Sequence, residues 1–211
     1  MPLFKTINVS PTTQILVWQI TETFEELLQQ VVLKEKNQLR LDGMKSEMHQ
    51  RAFLSVRMLL KELDYTDFEL HYDEFGKPYF RDGKHISITH SHQFSSIIVS
   101  DETVGIDIEM QREKIIRIAD KFCDCEFEFL EPEKIQEYIR KLTVIWGAKE
   151  SIYKIRNEKG ISFKDHIKVN TFEIEDQKTT AILELENLKQ PFSIFFEEIE
   201  NFTLVYAFEK I

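Results

Sequence analysis

Apolar and polar residues alternate with two different periods along this chain. A period near 3.6, typical of amphipathic helices, predicts helices over residues 23–40, 45–63, 113–122 and 133–156. A period of two, or a short apolar run between turn residues, is typical of strands. The strands predicted in this way are QILVWQI, DFELHYD, PYF, HISITH, FSSIIVSD, VGIDIE, HIKVNTFEIE, TTAILELE, PFSIFFEE and FTLVYAFEK.

The order of these elements repeats along the chain. A strand, then helices, then antiparallel strands occur twice at an offset of roughly 90 residues, about the size of a small folding unit. We therefore predict an α+β fold with two similar halves, residues 1–102 and 103–211, packed as a pseudo-dimer. Clefts between such halves are common ligand sites.

Composition narrows the functional class. The 211 residues are 42% hydrophobic, which supports a packed core, and no apolar run is long enough to span a membrane or form a signal peptide. We expect a cytoplasmic monomer. The net charge of −10 argues against a general nucleic-acid binder. Cys123 and Cys125 are too few for a zinc site and are expected to be reduced thiols.

The strand VGIDIE carries two carboxylates on one face. Val104, Ile106 and Ile108 form an apolar face, so Asp107 and Glu109 share the opposite one, with Gly105 expected to leave that face open. Two adjacent carboxylates repel unless a cation lies between them, and hard cations such as Mg²⁺ take oxygen ligands. The alternative is a strand with one solvated face.

A third acid occurs in the helical segment WGAKESIYK. Trp146, Glu150 and Lys154 are spaced by four and share a helix face, so Glu150 can act as a metal ligand or base and Lys154 can meet a phosphate. The alternative is a surface ion pair between Glu150 and Lys154, with Trp146 in the core.

Candidate phosphate-binding residues occur in the first half. Thr89 and His90 belong to HISITHSH, where a predicted strand is expected to end in a turn, and both can donate to phosphate oxygens. Lys77 lies in the turn EFGKP. Arg51 and Arg57 lie on the second helix, and Arg57 falls in an apolar stretch where an arginine needs a partner.

The ordered set GKP, SITHSH, VGIDIE and WGAKESIYK resembles the 4′-phosphopantetheinyl transferases, and specifically the larger, pseudo-dimeric type that activates surfactin synthetase. The resemblance implies transfer of 4′-phosphopantetheine from coenzyme A to a serine of an apo acyl or peptidyl carrier protein. It also implies dependence on Mg²⁺ and release of adenosine 3′,5′-bisphosphate.

The same resemblance implies roles for individual residues. The metal ligands match Asp107, Glu109 and Glu150, and the catalytic residues match Glu150 and Lys154, with Lys149 a weaker match. Contacts to coenzyme A fall on Arg57, Lys77, Thr89, His90 and Lys154. The stretch ISITHSH departs from the family pattern F-N-x-S-H-S-G: Ser87, Thr89 and His92 replace Asn, Ser and Gly.

A basic face is expected beside the predicted site. Lys114, Arg117 and Lys121 fall at helical spacing on the segment after VGIDIE, where they can dock an acidic carrier protein; the alternative is an ordinary charged outer face. Two other functions stay open, a metal-dependent nuclease or phosphohydrolase and a non-catalytic relative that binds carrier protein or coenzyme A.

Overall fold

The computed structural model describes residues 3–185 and 188–210 and is an α+β protein, as predicted. Its strands are, in chain order, β1 (Leu3–Ser10), β2 (Thr13–Gln19), β3 (His71–Tyr72), β4 (Pro78–Tyr79), β5 (His85–Ser91), β6 (Phe94–Ser100), β7 (Val104–Met110), β8 (Ile167–Val169), β9 (Lys178–Leu185), β10 (Leu188–Ile199) and β11 (Phe202–Glu209). The α-helices are α1 (Phe24–Leu28), α2 (Glu35–Asp42), α3 (Glu47–Lys61), α4 (Ile135–Arg156) and α5 (Phe163–His166). Short 3₁₀ helices occupy Glu113–Lys121, Cys125–Phe129 and Ile174–Asp176.

The chain divides into two compact units, Met1–Asp101 and Glu102–Ile211. The division lies one residue from the boundary expected from the sequence. No helix among the described residues is both long and apolar enough to cross a lipid bilayer.

The first unit is built on an antiparallel sheet with the strand order β1-β2-β6-β5. α3 packs on β2 and β6, and α1 packs on α3. Residues 52–60 of α3 are all buried, so this apolar stretch forms the centre of the core of the unit. β3 and β4 form a separate short hairpin.

The second unit places the long helix α4 on the sheet β7-β11-β10-β9-β8. Two glycines allow the close contact. A Cβ atom on Gly105 would lie 2.0 Å from the carbonyl oxygen of Ser151, and one on Gly147 would lie 2.6 Å from Cγ2 of Val205. The sequence analysis expected Gly105 to leave the carboxylate face of β7 open. In the structure, Gly105 instead allows the backbone of α4 to pack against this face.

Four predicted elements differ from the structure. The strand expected at DFELHYD is reduced to His71–Tyr72, after a turn at residues 67–69. The helix expected over residues 23–40 is split into α1 and α2, because Val31 and Val32 are β-branched and favour non-helical backbone. The helix expected over 113–122 is a 3₁₀ helix. The strand expected at HIKVNTFEIE ends at Val169, and its last residues form a 3₁₀ turn instead.

One strand was missed and one cap was found. β1 lies in the N-terminal segment, for which the hydrophobic pattern predicted no strand. Thr23 caps α1, because its hydroxyl accepts from the Glu26 N–H while the Glu26 carboxylate accepts from the Thr23 N–H.

Candidate active site

The carboxylate face of β7 lies beneath α4. Asp107 pairs in register with Val205 of β11 and is 5% exposed, and Glu109 is half-buried. A Cβ atom on Gly147 would lie 3.7 Å from Oδ2 of Asp107, which places α4 directly over this carboxylate. The alternative of a simple solvated strand face is therefore wrong for Asp107.

α4 brings Lys154 onto the same face. Gly147, Glu150 and Lys154 are spaced by three and four residues and lie on one side of the helix. The Lys154 ammonium donates to Oδ1 of Asp107 at 2.9 Å and to the carbonyl oxygen of Ile106 at 2.8 Å. These bonds fix Lys154 to β7. The alternative, in which Lys154 only forms a surface ion pair with Glu150, does not describe these contacts.

Glu150 has the electrostatic surroundings of a functional carboxyl group. Burial raises the pKa of Glu150 to about 7; the Asp107 carboxylate adds to this rise, the Lys154 ammonium opposes it, and Glu109 adds a smaller contribution. Asp107, Glu109 and Glu150 are thus close enough to repel one another. Perturbed groups of this kind are concentrated at functional sites.

The donor chemistry of this group fits a hard divalent cation. Three carboxylates supply only oxygen ligands. The pKa of Glu150 is raised first by burial and then by the negative charge of Asp107, which a cation would neutralise. Over the residues that the structure describes, however, no three His, Cys, Asp or Glu side chains are already arranged as a metal site. The assignment of Asp107, Glu109 and Glu150 as metal ligands therefore stays a prediction.

Lys149 lies away from these carboxylates. Its side chain is fully buried and its ammonium lies 2.7 Å from Oε1 of Glu126. Neighbouring residues on a helix point about 100° apart, so Lys149 and Glu150 serve different faces of α4. Lys149 has no contact with the Asp107 carboxylate among the bonds that the described residues make.

The first unit places Thr89 and His90 on opposite faces of β5. β5 covers the predicted strand HISITH and continues one residue further to Ser91, so successive side chains alternate between the two faces. Thr89 is 6% exposed and His90 is exposed, with its ring 6.2 Å from that of His49 on α3. The expected turn follows β5 directly, at His92. The roles of Thr89 and His90 at a phosphate stay predictions.

The turn after β5 contains His92 in a left-handed conformation, with φ of 50°. Glycine adopts such a φ without steric cost, which explains why the family pattern has glycine here. The His92 side chain lines a cavity of about 270 Å³ together with Ile20, Met48, Arg51 and Gln93.

Arg51, and not Arg57, reaches this cavity. Arg51 donates to the carbonyl oxygen of Ile20 at 3.2 Å. Arg57 is 4% exposed, lies over the Phe53 ring and forms an ion pair of 2.9 Å with Asp67, so its guanidinium is already enclosed. The apolar surroundings of Arg57 in LSVRMLL were the signal for this structural role.

Lys77 lies in the turn that joins β3 and β4. Its N–H donates to Oδ1 of Asp73 at 2.8 Å, and Gly76 has φ of 86°. These features explain the conformation of the turn. Its role at a phosphate stays a prediction.

The basic segment after β7 is exposed at Lys114, Arg117 and Lys121. In a 3₁₀ helix, side chains three apart eclipse, so Lys114 and Arg117 align with Asp120 and Lys121 falls on the next face. A groove of about 160 Å³ adjoins this segment; its lining residues are Glu109, Met110, Arg112, Lys114, Ile115, Ile118 and Trp146. Basic and apolar groups thus meet one of the β7 carboxylates.

Comparison with known proteins identifies relatives of this chain. Residues 103–207 match the family model of the 4′-phosphopantetheinyl transferase superfamily. The chain is also similar to the 4′-phosphopantetheinyl transferase gsp of Aneurinibacillus migulanus, with 30% identity over 128 residues. That stretch covers 60% of this chain and 52% of the relative, so the chain spans about half the length of the relative. The family match contains Asp107, Glu109, Glu150 and Lys154.

Proposed function

We propose that this chain, which belongs to the 4′-phosphopantetheinyl transferase superfamily, transfers 4′-phosphopantetheine from coenzyme A to a serine hydroxyl of an apo carrier protein. The observation that supports this most directly is the meeting of Asp107, Glu150 and Lys154 between β7 and α4, inside the matched residues. The relative from Aneurinibacillus migulanus is named a 4′-phosphopantetheinyl transferase. We further propose that the chain acts as a cytoplasmic monomer.

The β7–α4 site would act on the pyrophosphate of coenzyme A. Asp107, Glu109 and Glu150 would hold Mg²⁺, which when bound would neutralise charge on the phosphate oxygens. The Lys154 ammonium uses two of its three N–H donors on Ile106 and Asp107, so the third is available for a phosphate oxygen. Phosphoryl transfer depends mainly on such positioning and charge stabilisation.

Glu150 is the proposed general base. The Glu150 carboxyl group lies beside Asp107 and Lys154, and without a metal ion burial raises its pKa to about 7. A cation held by these carboxylates would lower that pKa, so Glu150 would be ionised and able to accept a proton near neutral pH. Glu150 would accept the serine proton as the serine oxygen attacks the phosphorus, and adenosine 3′,5′-bisphosphate would leave.

The phosphate groups of coenzyme A have candidate partners in the first unit. We propose His90 and Lys77, as the resemblance implies, and we add Arg51 because it lines a cavity with His92. Thr89 and Arg57 are weaker candidates, because Thr89 is buried on the other face of β5 and Arg57 is paired with Asp67.

The carrier protein is proposed to dock on the basic segment. Lys114, Arg117 and Lys121 are exposed, and Ile115 and Ile118 line the groove beside Glu109. Carrier proteins are typically acidic, so basic side chains around an apolar groove would complement them.

The test is incubation of the purified chain with coenzyme A, Mg²⁺ and several apo carriers, followed by mass spectrometry of each carrier. We expect one carrier to gain a single 4′-phosphopantetheine group on its serine. Binding of coenzyme A without any gain would show a non-catalytic relative. Cleavage of nucleic acid under the same conditions, again without a mass gain, would show a nuclease.

A further inference from the structure

A buried ion pair joins α4 to the 3₁₀ helix Cys125–Phe129, which precedes it in the chain. Lys149 and Glu126 are each fully buried, and the Lys149 ammonium lies 2.7 Å from Oε1 of Glu126. The same ammonium donates to the carbonyl oxygens of Phe122 at 2.6 Å and Phe163 at 3.0 Å. All three donors of the lysine are therefore used.

Glu126 is held just as completely. Its Oε1 also accepts from the Val169 N–H at 3.0 Å, and its Oε2 accepts from the Asp124 N–H at 3.0 Å. Through these bonds the pair connects α4 with the 3₁₀ helix Cys125–Phe129, with α5 and with β8. No other ion pair between described residues has both side chains at 0% exposure.

Stability alone gives little reason for such a pair. Replacing a buried ion pair by apolar residues of similar size is often neutral or stabilising, whereas its bonds fix one arrangement of the surrounding backbone. The main effect of the Lys149–Glu126 pair is therefore expected on the segments whose backbone groups it binds.

One of those backbone groups belongs to Phe122, at the end of the basic segment on which the carrier protein is proposed to dock. Phe122 directly follows the 3₁₀ helix Glu113–Lys121, and its ring contacts Trp146 with centroids 5.1 Å apart. Trp146 in turn lines the groove with Ile115 and Ile118. Lys149 thus holds the end of the basic segment against the same turn of α4 that carries Glu150.

We propose that Lys149 and Glu126 are positioning residues that hold the segment Glu113–Phe122 in register with the Glu150 face of α4, so that a docked carrier presents its serine to the site. The inference rests on the proposed transferase function. It predicts that loss of the pair weakens the use of the carrier protein and leaves the binding of coenzyme A unchanged.

The experiment compares Lys149→Met, Glu126→Gln and the double variant Lys149→Met/Glu126→Leu with the wild type. Lys141→Met is the matched control, because Lys141 is another buried lysine of α4 (side chain 4% exposed), paired with Glu137 and Glu173. Carrier KM, kcat and the Kd of coenzyme A are measured for each protein, together with thermal melting.

We expect both single variants to melt at lower temperature, because each leaves a buried charge or polar group without its partner. The double variant regains melting temperature but keeps a carrier KM about tenfold above wild type, with the Kd of coenzyme A within about twofold. Lys141→Met keeps the wild-type carrier KM. A stable double variant with the wild-type carrier KM, or a parallel loss of coenzyme A binding, would overturn the proposal.

Hydrogen exchange separates this inference from the proposed function. In the double variant, the amides of residues 113–122 are expected to exchange at least about tenfold faster than in the wild type, and in Lys141→Met they are not. If the wild type transfers nothing to any carrier, the proposed function fails. In that case, unchanged exchange in the double variant overturns the positioning role as well.

Discussion

Gly105 and Gly147 show how single residues shape the candidate site. At each of them α4 and the sheet come so close that a Cβ atom would not fit, and the Cβ position of Gly147 lies 3.7 Å from Oδ2 of Asp107. The sequence indicated that Gly105 belongs beside the acids but suggested open space there. Only the packing of α4 reveals that the glycine is needed for contact.

Gly105→Ala is expected to destabilise the protein by about 2–3 kcal/mol, the range typical of overpacked cores. The new Cβ would lie 2.0 Å from the Ser151 carbonyl oxygen, which is backbone and cannot rotate away. Urea unfolding measures the change. Gly43→Ala is the control, because its Cβ would meet no atom closer than 3.5 Å, and an equal loss there would contradict the packing explanation.

The raised pKa of Glu150 predicts that the folding stability of the metal-free protein, measured in EDTA, depends on pH. Its pKa is raised to about 7, so the unfolded carboxyl ionises at lower pH than the folded one and stability falls as pH rises towards 7. Glu150→Gln lacks this penalty. We expect it to be more stable than wild type by about 3 kcal/mol at pH 8 and equally stable at pH 4.

Denaturant titrations of the two proteins at pH 4, 6 and 8 provide this measurement. A stability difference that is independent of pH would contradict the raised pKa of Glu150.

At the scale of elements, periodicity predicted α3, α4 and the strands around them closely, because each has a long amphipathic or apolar pattern. The prediction of one continuous helix over residues 23–40 was wrong, because the hydrophobic pattern does not show that the helix is interrupted before Lys34. The 3₁₀ character of Glu113–Lys121 also has no distinct hydrophobic period. Asp107, Glu109, Glu150 and Lys154 were recognised by motif, whereas the position of Arg51 depends on how α3 meets the end of β2.

Asp67 ties α2 and α3 together. Its carboxylate accepts from the Lys34 N–H at 3.0 Å, from Asn37 at 2.7 Å and from Arg57 at 2.9 Å, and it is 2% exposed. Asp67→Ala leaves Arg57 buried without its counter-ion, so we expect a loss of about 3–5 kcal/mol in unfolding free energy.

Chemical denaturation of Asp67→Ala, with Asp82→Ala as a more exposed control, measures this loss. A loss below about 1 kcal/mol, the value typical of an exposed ion pair, would show that the Arg57–Asp67 pair is not the anchor we describe.

On the scale of the whole molecule, charge is distributed unevenly. The net charge is −10, yet Arg112, Lys114, Arg117 and Lys121 are exposed within one short segment beside Glu109. An acidic carrier protein, the proposed partner, would be repelled by the molecule at long range and attracted by this segment at short range. The amino-acid composition predicts only the long-range repulsion, because the net charge does not show where the basic residues are concentrated.

Charge reversal of the segment tests this attraction. Lys114→Glu/Arg117→Glu is expected to raise the carrier KM about tenfold at low salt, and the difference from wild type should shrink as ionic strength rises. Lys178→Glu on β9 changes charge in the same unit away from the groove and serves as the control. Equal effects of the two variants would contradict local docking.

The most direct measurement is the mass gain of an apo carrier incubated with coenzyme A, Mg²⁺ and the variants Asp107→Ala and Glu150→Gln. Glu184→Gln, an acid on β9 paired with Lys168 and Lys189, is the matched control. We predict that the wild type and Glu184→Gln add one 4′-phosphopantetheine group, and that both site variants lose at least about 100-fold in rate. Near-normal transfer by folded Asp107→Ala or Glu150→Gln would contradict the assignment of the β7–α4 site.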